Sequence, residues 1–545
     1  MASTGRPAPR PLTQHKVDAL GRRAAVAASH PAITLEGARV LAGGGNAVDA
    51  TLAMASVGWM VLPGQCGIGG DVFALVREPD GRVWTVNGSG FGPDGGTPEF
   101  FREQGLSTLP LQGALSVTVP GAPAALARLG RHATRPLADL WRTGIGLARD
   151  GFACTAKTRA DIAEHQRSLA ADEGARAVFL PHGRLPEVGE PLVQADLADF
   201  LERLAGDPLS FYDGAFASRA LTHLTAHGAP FSGREWELGR DVDEEPAISQ
   251  AYGSGVLHQT PLPTPGWMML QQAAICDGRL ADEPLLGPEA VHWLAEAARA
   301  AFTDRYAECA ADNDGWRRCL GPDRIRAARD RIAEGRRDHL PLQGVRVAGD
   351  TTSTVCVDEE GRAVSFIHSL AFTFGARLSV PGTGVMLNNR LGRGAYLVEG
   401  HPNEVQPRRK PLHTLNAWVL DDGQDGLRAV GNCPGGDGQV QWNMQVLSHL
   451  ADHALSPQEA VSLPRFTVFP GSDANVVGQP EELRCEPGLD PDTLATLQRW
   501  GHRVVEVPAQ VGGPGGSAMA VDVDHPHGSL RAGADPRMEG VALAL

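Results

Sequence analysis

Gly349-Asp350-Thr351-Thr352-Ser353-Thr354-Val355-Cys356-Val357-Asp358 is followed by the turn signal Glu359-Glu360-Gly361 and the apolar run Ala363-Val364-Ser365-Phe366-Ile367. Two β-rich segments joined by a tight turn predict a hairpin. Its first strand opens on a doubled threonine behind a small, flexible Gly-Asp. β-branched residues start strands well, and a lone Thr-Thr is usually no more than that. The same residues have a second meaning. If the chain is cut ahead of Thr351, the new α-amino group lies beside the Thr351 hydroxyl. A threonine hydroxyl is a poor nucleophile at neutral pH, and an adjacent amine is one of the few groups that activate it.

Composition narrows the choice of function. The chain has 545 residues and a net charge of −15, so it lacks the basic footprint of a nucleic-acid binder. Hydrophobic residues make up 42% and charged residues 21%, the balance of a soluble globular protein. The 66 glycines and 40 prolines are spread along the chain, as in a loop-rich α/β protein. Eight cysteines include no CxxC pair, which argues against a zinc ribbon or redox motif. Met1–Lys16 has no apolar stretch of the secretory kind, so the expected location is cytoplasmic. Ala50–Pro63 is almost wholly apolar but too short to span a bilayer, and reads as a buried helix.

In chain order, residues 1–22 read as a flexible arm, and Ala24–Ala28 as a short strand. A helix from about Ile33 to Ala42 stops at Gly43-Gly44-Gly45, and Asn46 caps the apolar helix that follows. Pro63-Gly64-Gln65-Cys66-Gly67-Ile68-Gly69-Gly70-Asp71 precedes a strand instead of following one and lacks a Gly-Lys-Ser/Thr ending. It is therefore a poor phosphate cradle. A hairpin spans Phe73–Asn87 with its turn at Pro79-Asp80-Gly81. Residues 95–330 are mostly helical in pattern, with Asp312-Asn313-Asp314-Gly315 a turn rather than a calcium loop, and residues 325–345 read as an exposed charged linker. Beyond Thr351 strands are expected near 352–358, 363–369, 383–387, 415–420 and 427–431, then a helix over 440–452.

Several segments, in this order, resemble the γ-glutamyltranspeptidase family. They are Ser29-His30-Pro31, Gly44–Ala50, Gly67-Ile68-Gly69-Gly70, Val119-Pro120-Gly121, Leu147–Phe152 and Leu192–Leu197 in the first part. Thr351-Thr352, Phe374-Gly375, Pro381–Gly384, Leu387-Asn388-Asn389 and Pro434-Gly435-Gly436 complete the set. The resemblance covers about 24–540. It implies an α+β fold, the four-layer αββα sandwich of N-terminal-nucleophile hydrolases, made as one precursor chain. It also implies self-cleavage between Asp350 and Thr351, so that a large-subunit part (23–350) and a small-subunit part (351–545) stay in one globular unit. Association beyond that is left open. By the resemblance Thr351 is the nucleophile and Ser369 stands where the family has a threonine that hydrogen-bonds it. Gly435 and Gly436 match the backbone N–H pair of the oxyanion hole, and glycine leaves that approach clear. Neither a metal nor another cofactor is implied, and neither nucleic acid nor membrane is an expected partner.

The departures concern recognition of a γ-glutamyl group. Ser89, in Asn87-Gly88-Ser89-Gly90, replaces the arginine that holds the substrate α-carboxylate in the family. Arg393 falls where an aspartate holds the α-ammonium, and a cation there repels it. His413-Thr414 replaces a serine pair that helps bind the carboxylate, and Ala371 replaces an asparagine near the nucleophile. Arg377, Arg390 and Arg393 flank Leu387-Asn388-Asn389, and an arginine fork suits a carboxylate. Expected from this is a threonine-nucleophile hydrolase that takes a small anionic acyl group, oxalyl or dicarboxylic, through an acyl-enzyme. Family branches without the glutamyl clamp include hydrolases of oxamate-type amides and homologues in antibiotic pathways to alkylated prolines, so C–C cleavage is a second chemistry for the same site. His413 is a candidate hydrogen-bonder or acid–base aid. The rival readings are γ-glutamyl hydrolysis or transfer on glutathione-like substrates, and an unprocessed binding homologue without activity.

Overall fold

The computed structural model describes residues 16–335, 351–424, 426–471, 480–508, 516–524 and 527–545. The expected hairpin is there. Strand Thr352–Val357 pairs antiparallel with Ala363–Ser369, with Thr352 opposite His368 and Val357 opposite Ala363. It sits inside a seven-stranded antiparallel sheet. The order is Val541–Ala544, Ala25–Ala28, Thr352–Val357, Ala363–Ser369, Asp71–Arg77, Val83–Gly88 and Glu244–Pro246. A second seven-stranded antiparallel sheet runs Ala19–Gly21, Ser529–Ala534, Met519–Asp524, Leu427–Asn432, Ala417–Asp421, Gly255–Gln259 and Ile248–Tyr252.

The alternation of side chains along each strand assigns the layers. Ala25, Ala27, Phe73, Leu75, Val355, Val357 and Ile367 meet Val419, Val430, Val521 and Ala532 in a core between the sheets. Their neighbours Val26, Ala28, Val72, Val76, Cys356, Val364 and Phe366 face the other way, onto helices Pro31–Ala42, Ala47–Val61, Ala122–Leu129 and Arg142–Asp150. On the far side, Leu257, Trp418, Leu420 and Ala429 pack against helices Gly266–Cys276, Pro288–Glu308 and Gly438–Ala451. Three cores between four layers make the αββα sandwich expected from the sequence.

Helix Ala47–Val61 is buried on every side and carries a capping box between Asn46 and Asp49, as its unbroken apolar run requires. Gly69 and Gly70 let the loop before strand Asp71–Arg77 press against the neighbouring backbone. A Cβ on Gly69 would lie 2.0 Å from the Met386 carbonyl oxygen, and one on Gly70 2.3 Å from that of Ser369. That loop is a packing device next to Ser369. Among the described residues no helix is long and apolar enough to cross a membrane.

Three local expectations change. Residues 383–387 form no strand, only the bridge Ser379–Met386, because Gly382 and Gly384 turn the chain there. The charged segment after 322 begins as helix Pro322–Ala333, with Ala328 and Ile332 buried, so a linker is excluded up to 333. The flexible arm does not reach residue 22. Ala19–Gly21 pairs with Ser529–Ala534, and Lys16 Nζ donates to the Gly540 carbonyl at 2.7 Å. Residues 1–15 and the processing residue Asp350 lie outside the described residues.

Candidate active site

Thr351 immediately precedes strand Thr352–Val357 and faces the gap between the sheets, on the side of Ser353, Val355 and Val357. It is 2% exposed. Strand register brings Ser369 beside it, and the two hydroxyl oxygens lie 3.2 Å apart. Ser369 Oγ also accepts the Ala371 N–H at 2.9 Å. A donor there would stabilise negative charge as the threonine oxygen develops it. Thr352, pointing to the helical side, donates to Gln65 Oε1 at 2.8 Å and fixes the start of the strand.

Ala371 has φ 83, a left-handed conformation that a β-carbon resists. Two bonds hold it: its N–H to Ser369, and its carbonyl to Arg393 Nη1. Arg393 is 1% exposed and its guanidinium lies 4.4 Å from the Phe372 ring centre. Arg390, also buried, donates from Nε to Asp71 Oδ2 at 3.0 Å. Both arginines point inward. The carboxylate that Arg390 meets is the protein's own. Arg377 lies nearer the surface, with Nη1 on Gln112 Oε1 at 3.0 Å.

Asp71 is the residue that the sequence analysis passed over. Ser369 and Asp71 are directly paired across neighbouring strands. Thr351, Ser369 and Asp71 therefore stand in a row on the inter-sheet face. Burial pushes the Asp71 carboxyl up to about 6, against the pull of Arg390, Lys410 and the Gly90 N–H. His413 Nε2 lies 3.8 Å from Asp71 Oδ2, and its ring packs edge-on against Phe73 at 4.8 Å. His413 is fully buried, and burial, with Arg390, Lys410, Arg393 and Arg305 around it, holds its value well below the ordinary imidazole range. The ring is neutral, and among the described residues neither of its nitrogens has a hydrogen-bond partner. The same is true of Thr414 Oγ1. Partly buried Lys410 sits 4.8 Å from the Phe91 ring centre, its value lowered by burial.

Gly435 and Gly436 lie between strand Leu427–Asn432 and helix Gly438–Ala451. Asn432 Nδ2 donates to the carbonyls of Thr354 at 3.0 Å and Phe366 at 3.2 Å, so this strand heads toward the Thr351 end of the hairpin. Gly435 has φ 133 and Gly436 φ 61, and a Cβ on Gly435 would lie 2.3 Å from Trp442 Cζ3. Arg305 ties this loop to the His413 segment, reaching Asp437 Oδ1 and the His413 carbonyl at 3.1 Å each. Ser89 is buried with both its N–H and its hydroxyl on Asn87 Oδ1, the latter at 2.6 Å.

Three residues of this cluster were not anticipated: Asp71, Lys410 and Arg305. The available signal was Asp71, an acid opening the otherwise wholly buried strand Asp71–Arg77. Elsewhere, His292, Glu296 and His502 converge in the core. His292 Nδ1 and His502 Nε2 are hydrogen-bonded at 2.8 Å, and Glu296 also meets Arg299 at 3.2 Å. That is a polar network within one core, with an arginine where a bound cation would be repelled.

The Gamma-glutamyltranspeptidase family model matches residues 34–545. The chain is 31% identical over 539 residues to the glutathione hydrolase-like YwrD proenzyme of Bacillus subtilis (strain 168), covering 96% of this chain and 99% of that one. It is 32% identical over 517 residues to the oxamate amidohydrolase proenzyme of Klebsiella pneumoniae, covering 92% and 95%. The crystal structure of cephalosporin acylase from Bacillus halodurans superposes with a TM-score of 0.87 at 27% identity, covering 99% of each chain.

Proposed function

The chain belongs to the γ-glutamyltranspeptidase family and is a self-processing N-terminal-nucleophile hydrolase, and from that premise we propose that it removes a small anionic acyl group, oxalyl or dicarboxylic, through an acyl-enzyme on Thr351. The observation that carries this reading is the charge of the wall around the threonine. Arg393 is buried on the Ala371 carbonyl two residues from Ser369, Arg390 is buried in a pair with Asp71, and Lys410 is partly buried. Ser89 offers a hydroxyl already spent on Asn87. A γ-glutamyl group brings an α-ammonium into such a pocket, where cations repel it. A carboxylate close to the scissile carbonyl is attracted instead.

In this reading the amine freed by cleavage after Asp350 takes the Thr351 proton as Oγ1 attacks, and returns it to the leaving group. Ser369 steadies the attacking oxygen from 3.2 Å. The N–H groups of Gly435 and Gly436 hold the oxyanion, and Thr414 with neutral His413 completes the acyl pocket. Ala371 keeps the Ser369 turn open where a larger side chain would intrude. The similarity to an oxamate amidohydrolase supports an oxalyl substrate. C–C cleavage, as in alkylproline antibiotic pathways, needs a stabilised carbanion as leaving group and a proton donor, for which His413 is a candidate. A cytoplasmic setting suits the eight free, buried cysteines.

The experiment is a panel of oxalyl and succinyl amides, with mass detection of the adduct on the fragment that begins at Thr351. An oxalyl or succinyl adduct is expected. Turnover of a γ-glutamyl anilide at ordinary rates, with no adduct from the panel, would overturn the proposal.

A further inference from the structure

Asp71 raises a problem for any anionic substrate. Its carboxyl group is wholly buried, stands next to Ser369 in the sheet, and faces the same gap as Thr351. Asp71 is two strands from Thr351 with Ser369 between, so an acyl group whose carboxylate lies next to its carbonyl brings that carboxylate toward Asp71 when it extends along this row from Thr351. Two ionised carboxylates brought together there, away from water, cannot both keep their charge.

We propose that Asp71 belongs to the substrate-anion site and takes up one proton from solvent when the acyl group binds, donating its O–H to the substrate carboxylate. This deepens the anionic-acyl reading and rests on it. The geometry supplies what such an exchange needs. Asp71 Oδ2 is the resting partner of Arg390 Nε at 3.0 Å. Once Asp71 is neutral, the Arg390 charge it had cancelled acts on the substrate carboxylate. His413 Nε2, at 3.8 Å from Asp71 Oδ2, accompanies the exchange as a neutral hydrogen-bonder. On release of the acid product the proton leaves and the Asp71–Arg390 pair re-forms.

The groups around Asp71 favour this direction. Arg390, Lys410, His413 and Tyr212 are its charged and titratable neighbours, with Glu245 beyond Lys410, and Arg393 and Arg305 beyond His413. His413 is held neutral, and Tyr212 keeps its proton, donating to the Pro120 carbonyl at 2.8 Å. Asp71, already lifted to about 6, is the group nearest its change of state. A substrate anion moves it further up.

The test uses the processed enzyme and oxalate, titrated by calorimetry in phosphate and in Tris at pH 7.5. Uptake approaching one proton per site is expected, with affinity falling about tenfold per pH unit from 7 to 8. Asp71→Asn should abolish the uptake and flatten the pH dependence, while His413→Gln should keep both. No uptake by the unaltered enzyme, or uptake that persists in Asp71→Asn, overturns the inference. An acyl adduct on Thr351 together with pH-independent oxalate binding sinks this inference alone. Absence of both adduct and oxalate binding removes the anionic-acyl reading with it.

Discussion

At the scale of single residues, Ser369 is where geometry and chemistry meet most directly. Its oxygen lies 3.2 Å from Thr351 Oγ1 and accepts the Ala371 N–H at 2.9 Å, so the turn after the strand holds the hydroxyl against the threonine. Ser369→Ala is expected to lower kcat about ten- to a hundredfold with KM little changed, because the lost bond matters most as charge develops on the attacking oxygen. Ser369→Thr should restore most of the rate. Steady-state kinetics on an oxalyl amide decide it, and a change confined to KM would place Ser369 in substrate binding instead. Ser369 was legible through the family resemblance. Asp71 was not, because a carboxylate is informative only once its neighbours are known, and the pairing with Ser369 joins positions 298 residues apart in sequence by β-sheet register alone.

At the scale of elements, strand Ala363–Ser369 presents a different set of side chains to each side. Ile367 and Ser369 face the inter-sheet gap, while Phe366 and His368 face helix Ala47–Val61. His368 is 1% exposed, and its ring lies against Gly58 of that helix. Burial lowers its value from 6.5 to about 3. Between those values the unfolded chain takes up a proton that the folded chain refuses, so stability falls as pH drops below 6.5. The cost from this one group is about 2 kcal/mol between pH 7 and pH 5. Urea unfolding at both values should show His368→Leu losing about that much less than the unaltered chain. Equal losses in the two proteins would refute it. The strands that sequence located correctly were those with strict alternation or a continuous apolar run. The missed one, 383–387, has glycines at 382 and 384 with positive φ, a turn chemistry that outweighed its β-branched residues.

Across the whole molecule, the proposed cut ahead of Thr351 would divide a chain whose two parts share both sheets. Thr352–Val357 and Ala363–Ser369 lie between Ala25–Ala28 and Asp71–Arg77 of the first part. In the other sheet, Ala417–Asp421 pairs with Gly255–Gln259, and Ser529–Ala534 with Ala19–Gly21. Val541–Ala544 also pairs with Ala25–Ala28, so among the described residues separating the parts would expose all three cores and break five strand pairings. The processed protein should therefore give two bands of roughly 350 and 195 residues on a denaturing gel. On native chromatography the same sample should elute as one species, the parts separating only at the urea midpoint of unfolding. Fragments that separate in native buffer would contradict this interleaved sheet.

The sequence alone determined the family-like order of segments, the hairpin that begins at Thr351, the buried helix after Asn46, and the loss of the glutamyl-binding residues. The hairpin and the helix are written in contiguous residues, where apolar period and turn chemistry suffice, while the segment order and the departures at the glutamyl site are read through the family resemblance. Only the tertiary structure decided that Arg390 rests on Asp71, that His413 is sealed and neutral, and that Thr351, Ser369 and Asp71 stand in a row. Charge in a buried site depends on which groups share it. Packing of two sheets from distant parts of the chain settles that, through burial and pairing that no local stretch of residues encodes.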